Sequence, residues 1–126
     1  ALSIVAGRAA FEHVLTEEAY ARTADLGARL ADGIEERCRR RGLSWRAHRL
    51  FARSGYCYGP ALPRNAVDYH AVMRPDLHHA MRVFFANRGV WESIATAGPT
   101  VSVAATPAHI DHYLGCLDEF LGELTD

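Results

Sequence analysis

The chain has 126 residues, a formal net charge of −1, 49% apolar and 23% charged residues. That is the size and balance of one globular domain with a real core, and it excludes a disordered chain. The lack of a basic excess excludes a general nucleic-acid binder, and no apolar run approaches the ~18 residues that a membrane-spanning helix needs. The opening apolar stretch Ala1 to Ala6 is too short for a signal peptide and has no basic residues before it.

All 14 basic residues are arginines. Without a lysine, the chain supplies no amine for Schiff-base chemistry, no P-loop lysine and no lysine general base. It does not begin with Met, and residue 1 falls inside a helical pattern, so the chain is expected to be a piece of something longer. Cys38, Cys57 and Cys116 are widely spaced, with no C-x-x-C pair, and are expected as free, buried thiols in a reducing cytoplasm.

The first predicted element is a helix over Leu2 to Leu15. It is apolar on more than one side, as a helix lying between two bodies would be. Thr16 reads as an N-cap with Glu17 and Glu18 in the following turn. The second helix is expected from Glu17 to Arg41, with its apolar stripe at Tyr20, Ala24, Gly27, Leu30, Ala31, Ile34 and Cys38. Arg37, Arg39, Arg40 and Arg41 complement its C-terminus, Gly42 ends it, and Leu43 folds back as the apolar closing contact.

From Ser44 the period changes. Ser44–Phe51 and Tyr56–Gly59 read as two strands joined by a turn over Ala52–Gly55. The aromatics Trp45, Phe51, Tyr56 and Tyr58 are expected to face the core. Pro60, Pro63 and Asn65 break the chain into a loop. A helical turn over Asp68–Met73 comes next. A helix opened by Pro75 follows, with Leu77, Met81, Phe84, Phe85 and Arg88 in step, closed by Gly89 and Val90. Val90–Glu92 reads as a brief strand and Thr100–Ala104 as an alternating one. The last helix starts at Thr106 and Pro107 and carries Ile110, Tyr113, Leu114, Leu117, Leu121 and Leu124 in one stripe. The expected fold is α+β. It is a two-layer small domain whose three- to four-stranded antiparallel sheet is covered by helices, with residues 1–15 forming an interface helix and 16–126 the domain proper.

The candidate chemistry is sparse. His78 and His79 are adjacent and point to different helix faces, and His109 and His112 are an i,i+3 pair too small to hold a metal. No G-x-S-x-G elbow and no G-x-G-x-x-G loop occurs, so no catalytic, cofactor-binding or metal residue is assigned. Arg53 stands apart. Placed beside the Ser54-Gly55 turn, its fork could hold a carboxylate bidentately, or it could form an ordinary surface salt bridge.

The order and spacing of several segments resemble the C-terminal small domain of class III, fold-type I aminotransferases, the pyridoxal-phosphate group that includes glutamate-1-semialdehyde aminomutase. Ala1 to Glu12 resembles the family's "P-L-A-M-A-A-G-x-A-x-L-E" helix, and Leu26 to Ile34 its "L-G-x-R-L-x-x-G-L" helix. Phe51 to Tyr56 with Pro63-Arg64-Asn65 is similar to "G-A-R-x-E-Y … P-P-R-N". Asn87-Arg88-Gly89-Val90 and Ser102 to Asp111 resemble "N-R-G-V" and "S-x-x-H-T-x-x-D-I-D". The resemblance spans essentially the whole chain.

It implies a cytoplasmic homodimeric enzyme in which a lysine of a missing N-terminal large domain holds pyridoxal 5'-phosphate. This domain would close the active site over a small amino- or keto-acid substrate, with Arg53 as the substrate-binding residue. The chain by itself would be inactive and would bind neither nucleic acid nor membrane. Two departures stand out: Ala97 where the aminomutase pattern has a glutamate, and Ala105 for the usual histidine. No arginine lies in the Ile94–Gly98 loop, where some β-amino-acid transaminases carry one. These departures count against aminomutase activity and leave the substrate open. The alternatives are a free-standing interaction domain pairing through its first helix, or part of an aminomutase, decarboxylase or racemase of the same fold.

Overall fold

The computed structural model describes residues 2–92 and 98–125. Five helices and one hairpin follow in the order α1 (Leu2–His13), α2 (Glu17–Arg40), β1 (Arg46–Leu50), β2 (Arg53–Cys57), α3 (Ala66–Val72), α4 (Pro75–Ala86) and α5 (Pro107–Thr125). α2 is the spine: it packs on both strands and on α5, and α4 packs on α5. Ile34, Met81, Phe85, Leu117 and Leu121 meet at the centre, each fully buried.

The helix ends follow their sequence signals. Thr16 adopts an extended backbone, and its hydroxyl accepts the Ala19 amide at 3.2 Å. At the other end of α2, Gly42 takes φ +71° and the Leu43 amide reaches back to the Cys38 carbonyl at 2.9 Å. The same closure repeats after α4, where Gly89 has φ +77° and the Val90 amide bonds the Phe85 carbonyl at 3.0 Å. In both, the C-terminal carbonyls find partners and an apolar side chain covers the turn. The buried stripe of α2 runs through Ala19, Thr23, Leu26, Leu30, Ile34 and Cys38; Tyr20, expected in it, is exposed. In α5 the expected stripe holds from Ile110 to Leu121, with Leu124 exposed in the last turn.

The hairpin differs most from expectation. β1 pairs antiparallel with β2 in the register Leu50↔Arg53 to Arg46↔Cys57, so the chain reverses over Phe51 and Ala52. Arg53, Ser54 and Gly55, expected in a turn, belong to β2. The tight reversal works because Phe51 takes a positive φ of 51° and its carbonyl presses on α2 at Gly27, where there is no side chain to oppose it. Phe51 itself points into solvent rather than into the core, whereas Tyr56 is buried and Trp45 and Tyr58 pack against its edge.

Among the described residues the sheet has two strands, not three or four. Val90–Glu92 is not a strand. The segment expected as a strand at Thr100–Ala104 makes one antiparallel bridge, Thr100 with Arg53, flanked by Ser54 N–H to Pro99 O at 3.0 Å and Val101 N–H to Ala52 O at 2.8 Å. Beyond Val101 the guanidinium of Arg22 takes the Val103 and Ala105 carbonyls, at 2.5 and 3.1 Å. In this antiparallel register the residues beyond Val101 run past the hairpin tip at Phe51 and Ala52, so β2 offers them no further partner.

Candidate functional site

Arg53 opens β2 and is solvent-exposed. It faces Leu50 across the hairpin and Thr100 on its other side. Its neighbour Ser54 points the opposite way and donates to the Gly27 carbonyl at 3.2 Å, which pins that face of the strand to α2. Among the described residues no carboxylate lies within salt-bridge distance of Arg53, although most other arginines of the chain are paired in this way. The surface salt bridge that was its ordinary alternative is therefore not formed within the described residues. Arg53 instead borders an open groove of about 730 Å³ between the start of α2, the hairpin tip and the Val101–Val103 segment.

The charge of Arg53 is felt by His48. The His48 ring lies across Gly55, where any Cβ would fall inside it. Partial desolvation of this exposed ring against the hairpin, with the Arg53 guanidinium adding to it, holds the imidazole below its ordinary value. On the outer edge of β1, Glu35 accepts the Ala47 amide at 3.0 Å and Arg46 Nε at 2.8 Å. Against the opposing effect of burial, these contacts keep its carboxyl below the usual range.

A second polar cluster was not legible in the sequence. Tyr56, Tyr113, Glu92, Tyr58 and His78 form a chain through the interior. Tyr113 donates to Glu92 Oε1 at 2.5 Å, Tyr56 donates to the Tyr113 hydroxyl, and Tyr58 lies 2.8 Å from His78 Nδ1. His78 Nε2 stands 3.9 Å from Glu92 Oε2, and both atoms are buried. Burial, reinforced by the Glu92 carboxylate, pushes the Tyr56 and Tyr58 hydroxyls up, and Tyr113 is raised in the same way, so all three remain protonated donors. Glu92 carried no signal, because a lone carboxylate after an aromatic has no periodicity that marks it as internal.

The histidines expected near the start of α5 are exposed and separately engaged. His109 Nδ1 accepts the Thr106 amide at 3.2 Å, and His112 Nε2 donates to the Arg88 carbonyl at 2.9 Å. Among the described residues no three His, Cys, Asp or Glu side chains are placed to hold a metal ion. All three cysteines are buried, and burial, with Glu35 nearby, raises the Cys38 thiol to about 11. The expectations placed on Ile94, Ala95, Thr96 and Ala97 lie outside the described residues.

An α2 spine carrying a hairpin and packed on α5, with α4 on α5, is an architecture shared with parts of larger solved structures. The particular likenesses are close. The chain matches glutamate-1-semialdehyde aminomutase from Pseudomonas aeruginosa PAO1 in two structures, one in complex with PMP. Their TM-scores are 0.88 and 0.87 at 27% identity, over 93% of this chain. It matches a β-phenylalanine aminotransferase from Variovorax paradoxus with a TM-score of 0.84, at 21% identity and over 94% of this chain. It spans only 26 to 27% of the length of those enzymes. No family model and no curated protein matches the sequence. The resemblance read from the sequence is thus present in three dimensions. No helix among the described residues is long and apolar enough to cross a membrane.

Proposed function

We propose that this chain is the C-terminal small domain of a class III, pyridoxal-phosphate-dependent aminotransferase, closing the active site and shaping its substrate pocket. The observation that carries this reading is the near-complete superposition of this chain on about a quarter of an aminomutase. Residues 1–15 would be the interface helix and 16–126 the domain, within a cytoplasmic homodimer. The residues present do not fit the cofactor: covalent attachment needs a lysine amine, and the chain has none. The cofactor and the amino-group chemistry it supplies belong to the remainder of the enzyme.

Within that enzyme Arg53 binds a substrate carboxylate. Its guanidinium is exposed and without a carboxylate partner among the described residues, and β2 is fixed behind it by the Ser54–Gly27 bond. The test has two stages. The reading frame upstream of Ala1 should encode a strand-end lysine and a glycine-rich phosphate loop, and the joined protein should transfer amino groups only when supplied with pyridoxal phosphate. A start codon directly before Ala1 would instead support the free-standing interaction domain. In the active protein, Arg53→Ala should raise KM for carboxylate substrates by the equivalent of roughly 1.5–3 kcal/mol. Arg53→Lys should rescue little, because an ammonium cannot reproduce the bidentate fork. An unchanged KM with lowered stability would make Arg53 structural.

A further inference from the structure

The groove that Arg53 borders has a composition of its own. Its walls are Tyr20 from α2, Leu50 and Phe51 from the hairpin tip, and Val101 and Val103 from the segment beyond the bridge. Leu50 is 63% exposed and Phe51 76%, so these side chains present their apolar surface outward and leave the core to others. The backbone holds Phe51 there at a cost: φ of 51° is a sparsely populated region for an aromatic residue, and such strain persists where the surroundings enforce it. The volume of about 730 Å³ is that of a small-molecule site.

The charges are equally specific. Arg53 is the cation on the lining and Glu17 the carboxylate. Arg22, the nearest other cation in sequence to this end of α2, is committed to the Val103 and Ala105 carbonyls. A ligand lying in the groove therefore meets one fork suited to a carboxylate, an apolar wall, and one negative group that repels a second carboxylate.

The geometry points to a monocarboxylate with an apolar body, aryl or branched alkyl, as the ligand of this groove, with Glu17 rejecting dicarboxylates. This rests on the reading of Arg53 as a carboxylate-binding residue and narrows the class of substrate it takes.

Isothermal titration calorimetry on the intact protein that carries this chain tests it with three probes: 3-phenylpropanoate, 3-phenylpropan-1-ol and succinate. None has an amine or keto group, so none reacts. The carboxylate with the aryl body should bind at least about tenfold tighter than either of the others, as loss of one charge-assisted pair implies. Arg53→Met should erase its advantage over the alcohol. Glu17→Gln should tighten succinate and leave 3-phenylpropanoate unchanged. Phe51→Gly, which suits the positive φ and removes the ring, should weaken 3-phenylpropanoate and spare succinate. All three positions are exposed, so the variants keep the fold. Equal binding of succinate and 3-phenylpropanoate, both lost in Arg53→Met, would overturn this inference and leave the carboxylate reading of Arg53 standing. Binding indifferent to Arg53→Met, or no binding of any probe, would overturn both.

Discussion

Tyr113 on α5 and Glu92, in the segment after α4, meet inside the domain, with the Tyr113 hydroxyl donating to Glu92 Oε1 at 2.5 Å. Tyr56 on β2 donates in turn to Tyr113, so one buried carboxylate ties the strand, the last helix and the post-α4 segment together. Glu92 and both tyrosines are almost wholly buried, which makes the bonds costly to break from one side.

Tyr113→Phe removes the shared hydroxyl and leaves both Glu92 Oε1 and the Tyr56 hydroxyl without it. Each stranded group carries a desolvation penalty, so the variant should lose roughly 1–3 kcal/mol in chemical denaturation. Tyr56→Phe, at the end of the chain of bonds, strands no carboxylate and should cost less. Equal losses in the two variants would show that Glu92 does not depend on Tyr113.

His48 predicts a pH response. Its exposed imidazole is held below its ordinary value chiefly by partial desolvation over Gly55 and secondarily by Arg53. The folded state thus binds a proton more weakly than the unfolded state. The His48 contribution to stability is complete above the unfolded value of ~6.5 and is lost as pH falls below it toward the folded value. His48→Asn should flatten the stability profile in that window. In NMR titration, Arg53→Gln should move the His48 midpoint up by removing the second of the two causes. A midpoint unmoved by that change would mean that the guanidinium is not directed toward this face.

Helix ends and core stripes were legible from the sequence because their causes are local. Gly42-Leu43 and Gly89-Val90 carry their closures in two residues, and α5 repeats its apolar residues at helical spacing. The hairpin was displaced because its cause is remote: Phe51 can turn the chain in two residues only where Gly27 on α2, far back in the sequence, yields the space. The third strand expected at Thr100–Ala104 is cut short among the described residues by the same displaced hairpin, since pairing that begins at Thr100 and Arg53 reaches the tip at Ala52 one residue later. Arg53 was read as a turn residue and instead opens β2, where it is exposed. The groove beside it, and the Glu92 cluster, depend on contacts between elements and leave no periodic trace.

Gly27 and Gly115 make a matched test of that point, since both are helical glycines. Alanine is favoured over glycine in a helix interior by roughly 0.5–1 kcal/mol. At Gly115 an added Cβ meets nothing within 4 Å, so Gly115→Ala should stabilise by about that amount. At Gly27 the Cβ would run into the Phe51 carbonyl and approach Ala52 Cα at 3.0 Å, both backbone atoms that cannot rotate away. Gly27→Ala should therefore destabilise by roughly 1–3 kcal/mol despite the better propensity, and broaden the β1–β2 amide resonances. A gain at Gly27 would mean that the hairpin tip slides freely over α2.

The first helix is predicted to be an addition to this domain rather than part of its core. α1 buries none of its residues, and Leu2, Ile4, Val5 and Phe11 are between 64 and 83% exposed. The cap at Thr16 starts α2 independently of it, and every core residue lies beyond it. Removing residues 1–15 should thus change the unfolding free energy of the remainder by no more than about 0.5 kcal/mol, as for changes away from packed features. Contiguous apolar surface left open in this way marks an interaction face. The whole chain should therefore self-associate in sedimentation as its concentration rises, the shortened chain should remain monomeric, and Phe11→Asp should behave like the shortened chain. In the longer protein, amides 2–13 should gain hydrogen-exchange protection that the chain by itself does not give them. A large loss of stability on removing α1 would place it within the fold and erase the boundary at residue 15.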